Sequence, residues 1–177
     1  MRIISGKFKK AKLYTVPGKN VRPTTDFLKE TIFSIIYDCK KKKVLDLFAG
    51  SGSLGLEALS RGAESVVLVD FLFKAVKTIS RNIEKLRCED SCRIYQKKVS
   101  SFLRTNPKQF DMIFMDPPYN KNLVNSTIEL IFENDMVFSE GKIIIEHSKN
   151  EKLDDKWASK FEKQKIYGES QITVLGV

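Results

Sequence analysis

Histidine and tryptophan occur once each in this chain of 177 residues, cysteine three times and proline five times. A single histidine cannot seed a histidine metal cluster, and three cysteines cannot all pair. Cys88 and Cys92 lack the matching second pair that a zinc tetrad needs, so no metal is expected and the thiols should be free, in a reducing cytoplasm. No apolar stretch approaches the ~20 residues of a membrane span. Met1-Arg2 leads straight into charged sequence rather than a signal-peptide core, so no membrane partner is expected. Repeats, low-complexity segments and domain linkers are absent as well. Residues 1–177 should form one domain, with residues 1–20 as a basic extension.

Acid is missing from the first 25 residues. Arg2, Lys7, Lys9, Lys10, Lys12, Lys19 and Arg22 all precede Asp26, and residues 40–43 are four consecutive lysines. The formal net charge is +9, which favours a polyanionic partner. Hydrophobic residues make up 42% of the chain, enough for a packed core.

Residues 44–70 organise the rest. Residues 44–48 are an apolar run that suits a buried strand, and residues 49–53 are a loop of small residues. Leu54, Leu56, Ala58 and Leu59 open a helix that stops at Arg61-Gly62, and residues 65–69 form a second strand ending on Asp70. This is a βαβ unit with a glycine loop where open α/β sheets bind ligands. Gly50-Ser51-Gly52-Ser53-Leu54-Gly55 reads G-x-G-x-x-G, with Asp70 about 20 residues on. That spacing suits NAD and S-adenosylmethionine (SAM) alike. Asp46 tilts the choice, because a carboxylate at the end of the first strand repels a pyrophosphate and suits the methionine ammonium of SAM. Asp70 would then take both ribose hydroxyls. Phe48, Ala49, Gly50, Ser51 and Gly52 complete the expected cofactor cradle.

Around this unit, residues 2–5 and 12–16 predict two short strands of a basic hairpin outside the main sheet. Arg22-Pro23-Thr24-Thr25-Asp26 is a helix-start signal, followed by apolar residues at helical spacing from Phe27 to Ile36. Residues 71–87 read as an amphipathic helix that includes Leu72 and Val76 in its apolar face. Further strands are expected at 93–96, 110–115 and 142–146, and helices around Phe102-Leu103, at 123–132 and at 153–157. A closing hairpin at 161–167 and 171–177 turns through Gly168. Alternating strands and helices give an α/β, doubly wound, mostly parallel sheet.

Asp116-Pro117-Pro118-Tyr119 ends the strand at 110–115 and decides between the cofactors. Asp116 and the Pro117 carbonyl can each accept from one exocyclic amino group, since proline loses its donor and keeps its acceptor. The Tyr119 ring offers a stacking surface for an unstacked base, worth about 1–3 kcal/mol. In-line transfer from a sulfonium needs mostly positioning, and the amine need not lose its proton first. The lone histidine, His147, is expected to be a surface or hydrogen-bonded residue, and Trp157 a packing residue.

The stretches M-R-I-I-S-G-K-F at the start, R-P-T-T-D at 22–26, V-L-D-L-F-A-G-S-G-S-L-G-L-E-A-L-S-R-G-A at 44–63, F-D-M-I-F-M-D-P-P-Y at 110–119 and I-Y-G-E-S near the end span nearly the whole chain. Together they resemble the RsmD family, which methylates the N2 amino group of a guanine in bacterial small-subunit (16S) ribosomal RNA. The glycine loop and D-P-P-Y alone would also fit N6-adenine DNA methyltransferases, or a basic RNA-binding protein with a vestigial pocket.

The resemblance implies a Rossmann-like methyltransferase sheet of seven strands with the last reversed, SAM as cofactor, and catalysis by Asp116, Pro117, Pro118 and Tyr119. It also implies a cytoplasmic, monomeric enzyme acting on 16S rRNA or the assembled small subunit. Lys7, Lys9, Lys10, Lys12 and Arg22 are expected to hold RNA beside the pocket, with residues 40–43 assisting. Two departures stand out: Asp70 occupies a place where the family usually has Glu, and the Asp that usually contacts adenine has no counterpart near Lys98-Val99.

Overall fold

A computed structural model describes residues 1–18, 26–36, 38–106 and 108–177. Twelve regular elements follow in chain order: α1 (Asp26–Ile36), β1 (Lys43–Leu47), α2 (Ser53–Ser60), β2 (Ser65–Asp70), α3 (Phe73–Leu86), β3 (Cys92–Gln96), α4 (Val99–Thr105), β4 (Phe110–Met115), α5 (Leu123–Glu133), β5 (Val137–Ser148), β6 (Phe161–Tyr167) and β7 (Ser170–Gly176). Seven strands form one sheet in the order β3-β2-β1-β4-β5-β7-β6. The first five pair in parallel, and β7 runs antiparallel to both of its neighbours.

Helices cover both faces, which is why the central strands read as unbroken apolar runs rather than alternating ones. Val44, Val66, Leu68, Met112 and Phe114 pack with the helices α1, α2 and α3. Leu45, Leu47, Val69, Ile113 and Met115 pack on the other face with α4 and α5. The chain winds outward from β1 in one direction and from β4 in the other, so the switch in topology falls between these two strands. Their carboxyl ends are where such sheets place a ligand.

Several boundaries differ from the sequence reading. α3 begins at Phe73, leaving Phe71 and Leu72 exposed above the sheet rather than in the helix's apolar face. β5 starts at Val137, five residues before the expected strand, because Glu140 takes a positive φ of 66° at an irregularity that looks like a turn in sequence. The segment read as a helix at 153–157 is a 3-10 turn at Asp155–Lys160.

The predicted N-terminal strand pair is reduced to one antiparallel bridge, Arg2 to Lys12, outside the main sheet. The Ile3 and Leu13 amides donate across it, to Ala11 O and Met1 O at 2.9 and 3.2 Å, while others go elsewhere. The amides of Ile4 and Ser5 donate to the Glu57 carboxylate at 2.7 and 3.0 Å, and that of Lys7 to the Ser60 carbonyl at 2.7 Å. Gly6 lies so close to α2 that an added Cβ would sit 1.8 Å from the Ser60 oxygen. Glu57 is fully buried and also accepts from Arg61 Nε at 2.8 Å. Lys29, buried on α1, lies 3.9 Å from Glu57 and donates to the Arg2 carbonyl. Burial lowers the Lys29 ammonium pKa, and Glu57 and Asp26 oppose that shift. This ionic knot fixes the N-terminal segment to α1 and α2. Breaking such a buried pair costs about 3–5 kcal/mol.

Candidate active site

The glycine loop is closed by its own backbone. The Ala49 amide donates to Val69 O at 3.1 Å, and the Gly52 amide to Ala49 O at 2.7 Å. Phe48, Gly50 and Gly52 all take positive φ, at 58°, 56° and 77°. An added Cβ on Gly52 would point inward, 2.8 Å from Leu68 Cδ2 and 3.4 Å from Ile79 Cγ1. A side chain at Gly52 would therefore enter the core rather than the open side of the loop. The buried Asn82 of α3 donates to the Ser51 carbonyl at 2.9 Å, bracing the loop from outside.

Two carboxylates underpin this loop. Strand alternation turns Asp46 away from Leu45 and Leu47 toward α2, where its Oδ2 accepts from the Gly55 amide at 2.9 Å. Burial pushes the Asp46 pKa up to about 8; the Gly55 hydrogen bond opposes this and the nearby Asp70 charge adds to it. Asp70 accepts from the Gly50 amide through Oδ2 and from the Leu72 amide through Oδ1, each at 2.9 Å. It thereby joins the end of β2 to the loop after β1.

The β1–β4 register ends with Leu47 opposite Met115. Phe48 and Asp116 thus leave the sheet side by side, about 5 Å apart by strand spacing. Pro117 is buried, Pro118 exposed, and Tyr119 half-buried. The Tyr119 hydroxyl bonds to Glu146 Oε1 on β5 and to Ser170 Oγ, 2.7 Å away, on β7. Burial and the Glu146 carboxylate raise the phenol's pKa above its ordinary value, so the hydroxyl stays protonated and can donate to that carboxylate. The sequence places Asp116 and Tyr119 in the site but gives no sign that Glu146 and Ser170 hold the ring.

The neighbouring His147 is buried, as a hydrogen-bonded residue rather than a surface one. Its Nδ1 lies 3.0 Å from Ser148 O and its Nε2 3.0 Å from Thr173 Oγ1, and burial lowers its pKa. Trp157 stacks on Phe132 of α5 at 5.1 Å. All three cysteines are free and buried, and no cluster among the described residues could hold a metal. None of the described helices is long and apolar enough to cross a membrane.

The basic residues divide between the two ends of the sheet. Met1 lies at the glycine loop, with Ser51 Oγ 3.3 Å from its sulfur, and the Tyr14 amide donates to Asn82 Oδ1 at 2.7 Å. Lys7 instead lies at Ser60, the far end of α2; by helix rise that is about 12 Å from the loop. Lys7, Lys9, Lys10 and Lys12 are all exposed, whereas Arg22 lies outside the described residues. Residues 40–42 precede β1 and Lys43 opens it; the Lys43 amide and Lys42 ammonium hold Asp111 at 2.8 and 3.3 Å. That is the amino end of the sheet, about 16 Å of strand away from the loop, so RNA backbone contacts made by these lysines would lie away from the pocket. Lys98 caps the start of α4 and is exposed, with no acid in its place.

Sheet order, reversed β7 and paired loops at the switch point define the fold and site of the SAM-dependent methyltransferases. The model of the family described as "Conserved hypothetical protein 95", the RsmD family, matches residues 1–176, and the chain belongs to that family. A candidate rRNA methyltransferase of Bacillus subtilis, YlbH, is 40% identical over 159 residues, covering 86% of this chain and 85% of that protein. Ribosomal RNA small subunit methyltransferase D of Escherichia coli K12 is 34% identical over 150 residues, covering 82% and 74%. A solved Escherichia coli structure, the candidate methyltransferase yhhF, superposes with a TM-score of 0.87 at 29% identity, covering 99% of this chain and 97% of that one.

Proposed function

We propose that this protein transfers the methyl group of SAM to the exocyclic N2 amine of a guanine in small-subunit ribosomal RNA. The observation that carries this reading is the adjacency of the glycine loop and D-P-P-Y, which follow directly on paired residues of β1 and β4. In this reading the loop and Asp46 hold the methionine end of SAM, the carboxylate facing its ammonium. Each Asp70 oxygen accepts one amide and retains a second acceptor site for a ribose hydroxyl. Phe71, 56% exposed next to Asp70, offers an apolar face for the adenine where the family's usual acid is missing.

The residues on the substrate side position the amine. Asp116 and the Pro117 carbonyl accept hydrogen bonds from its two N–H groups, which pyramidalises the nitrogen and points its lone pair at the methyl group. The guanine must leave its stack, at a cost of a few kcal/mol, and stacking on Tyr119 offsets this. The exposed Lys7, Lys9, Lys10 and Lys12 would bind RNA backbone, adding affinity without reading sequence.

Labelled methyl transfer from SAM to unmodified small subunits, to naked 16S rRNA and to DNA, with the product mapped, tests the reading. The expected product is N2-methylguanine in 16S rRNA. Label on adenine N6 in DNA, or SAM binding with no transfer to any of the three, would overturn it.

A further inference from the structure

Helix α3 carries a row of charge that the proposed site does not use. Lys74, Lys77, Arg81 and Lys85 are all exposed. Their spacing of three, four and four residues places them along one side of the helix. By helix rise, successive cations stand about 4.5–6 Å apart and the row runs about 16 Å. Among the described residues, none of the four forms an ion pair. The i,i+4 pairs Lys77–Arg81 and Arg81–Lys85 repel one another, each costing a few tenths of a kcal/mol.

The row is tied to the candidate active site. Asn82, buried on the adjoining side of α3, bonds the amide and carbonyl of Tyr14 and the carbonyl of Ser51 in the glycine loop. Arg81 and Lys85 lie over the Tyr14 ring, 4.1 and 4.8 Å from its centroid, leaving that ring 41% exposed. At the end of α3 nearest Asp70, Phe73 is 65% exposed. Cations in single file, flanked by open aromatic rings, suit a nucleic-acid strand, whose phosphates need charge and whose unpaired bases need stacking surfaces. A membrane surface fits less well, because the apolar side of α3, with Ala75, Ile79, Ile83 and Leu86, is already buried against the sheet.

We infer that the Lys74–Lys77–Arg81–Lys85 side of α3, with Tyr14 and Phe73, is a track for an RNA strand leading to the carboxyl end of the sheet. This rests on the RNA-methyltransferase reading for the choice of polyanion. It assigns backbone binding beside the pocket to α3, where the tip of the N-terminal segment lies too far along α2.

The test is equilibrium binding of unmodified 16S rRNA fragments between 50 and 200 mM salt, with SAM titration and methyl transfer measured on the same proteins. Changing Lys74, Lys77, Arg81 and Lys85 together to alanine should weaken RNA binding by about tenfold or more. It should also make the slope of log affinity against log salt shallower by about 2–3, as the loss of up to four phosphate contacts requires. SAM affinity should hold within about twofold. Arg81→Glu alone should weaken binding as well, while Arg81→Lys should retain most of it, since phosphate attraction needs the charge.

Unchanged RNA affinity and salt slope in the quadruple variant would overturn the inference even if methylation of ribosomal RNA is confirmed. Loss of binding to anionic phosphatidylserine vesicles with RNA binding intact would overturn it too. Stripe-dependent RNA binding by a protein that methylates no ribosomal RNA would support the track and remove the methylation reading.

Discussion

The loops after β1 and β4 leave the sheet side by side and are built in opposite ways. The first is held mainly by its own backbone: amides of Ala49, Gly50, Gly52 and Gly55 bond to groups on β1, β2 and the loop itself, within 25 residues of one another, with Asn82 adding one bond from α3. The second is held from a distance, by Glu146 and Ser170 on strands 27 and 51 residues further along the chain. Consequently the glycine loop should be inseparable from the stability of the fold. The D-P-P-Y loop should be separable, its changes falling on turnover.

The sharpest way to break that contrast is Asp116→Ala. Turnover should fall by about 10²–10³, the loss typical of one oriented polar group at a reacting centre. SAM affinity and melting temperature should stay near wild type. Single-turnover methyl transfer measures the first and calorimetry the others; near-normal turnover would reduce the loop to a plain turn.

Gly52→Val tests the other side of the contrast. The added side chain enters the core against Leu68 and Ile79, in a backbone region that disfavours it. Overpacking and the left-handed conformation together should cost about 2–5 kcal/mol, read by denaturant unfolding. A variant of normal stability that had lost only SAM affinity would put Gly52 on the ligand side instead.

Glu146→Ala should have a smaller effect. It leaves the Tyr119 hydroxyl short of one partner, at a cost of about 1–3 kcal/mol in holding the ring, and turnover should drop about tenfold or more. In a Tyr119→Phe background the same change should add little, and SAM affinity should not move. Additive losses in that double-mutant cycle would mean that Glu146 does not act through Tyr119.

The last expectation concerns pH. With the Asp46 carboxyl raised from 3.8 to about 8, the folded state binds an extra proton between those values. The contribution of Asp46 to stability without ligand should therefore be fully present below pH ~4, decline as pH rises, and be lost above ~8, so that Asp46→Asn flattens this part of the pH profile. An ammonium held beside Asp46 favours the ionised form. SAM binding at pH 7 should then release a proton, and affinity should climb towards pH 8. Calorimetry in buffers of different ionisation enthalpy detects the proton, and Asp46→Asn should abolish its release. Persistence of that release in Asp46→Asn would assign the proton to another group.

The pattern of legibility follows the same division. The βαβ unit around the glycine loop could be read because its determinants are local: an apolar run, small residues that tolerate positive φ, and an acid one strand later. The D-P-P-Y motif was visible for the same reason, as four consecutive residues. Leu72 was misassigned because apolar spacing does not say whether anything packs on the first turn of α3. The N-terminal strand pair was overestimated because alternation does not reveal that some of its amides are claimed by Glu57 and Ser60. Residues 40–43 read only as a basic run, because charge in sequence carries no information about which end of a sheet it reaches.

By itself, then, the sequence determined the α/β class, the order of its elements, the two loops that meet at the topological switch, and the residues in them. Their signals are hydrophobic period, turn chemistry and short-range spacing, all of which act within one or two elements. Only the tertiary structure decided that Glu146 and Ser170 grip Tyr119, that Gly52 faces the core, and that Asn82 joins the N-terminal segment to the glycine loop. It alone placed the row of cations on α3 beside that loop and the four lysines at the start of β1 at the opposite end. These are contacts between distant segments, fixed by how the helices pack across the sheet and by which way each strand runs.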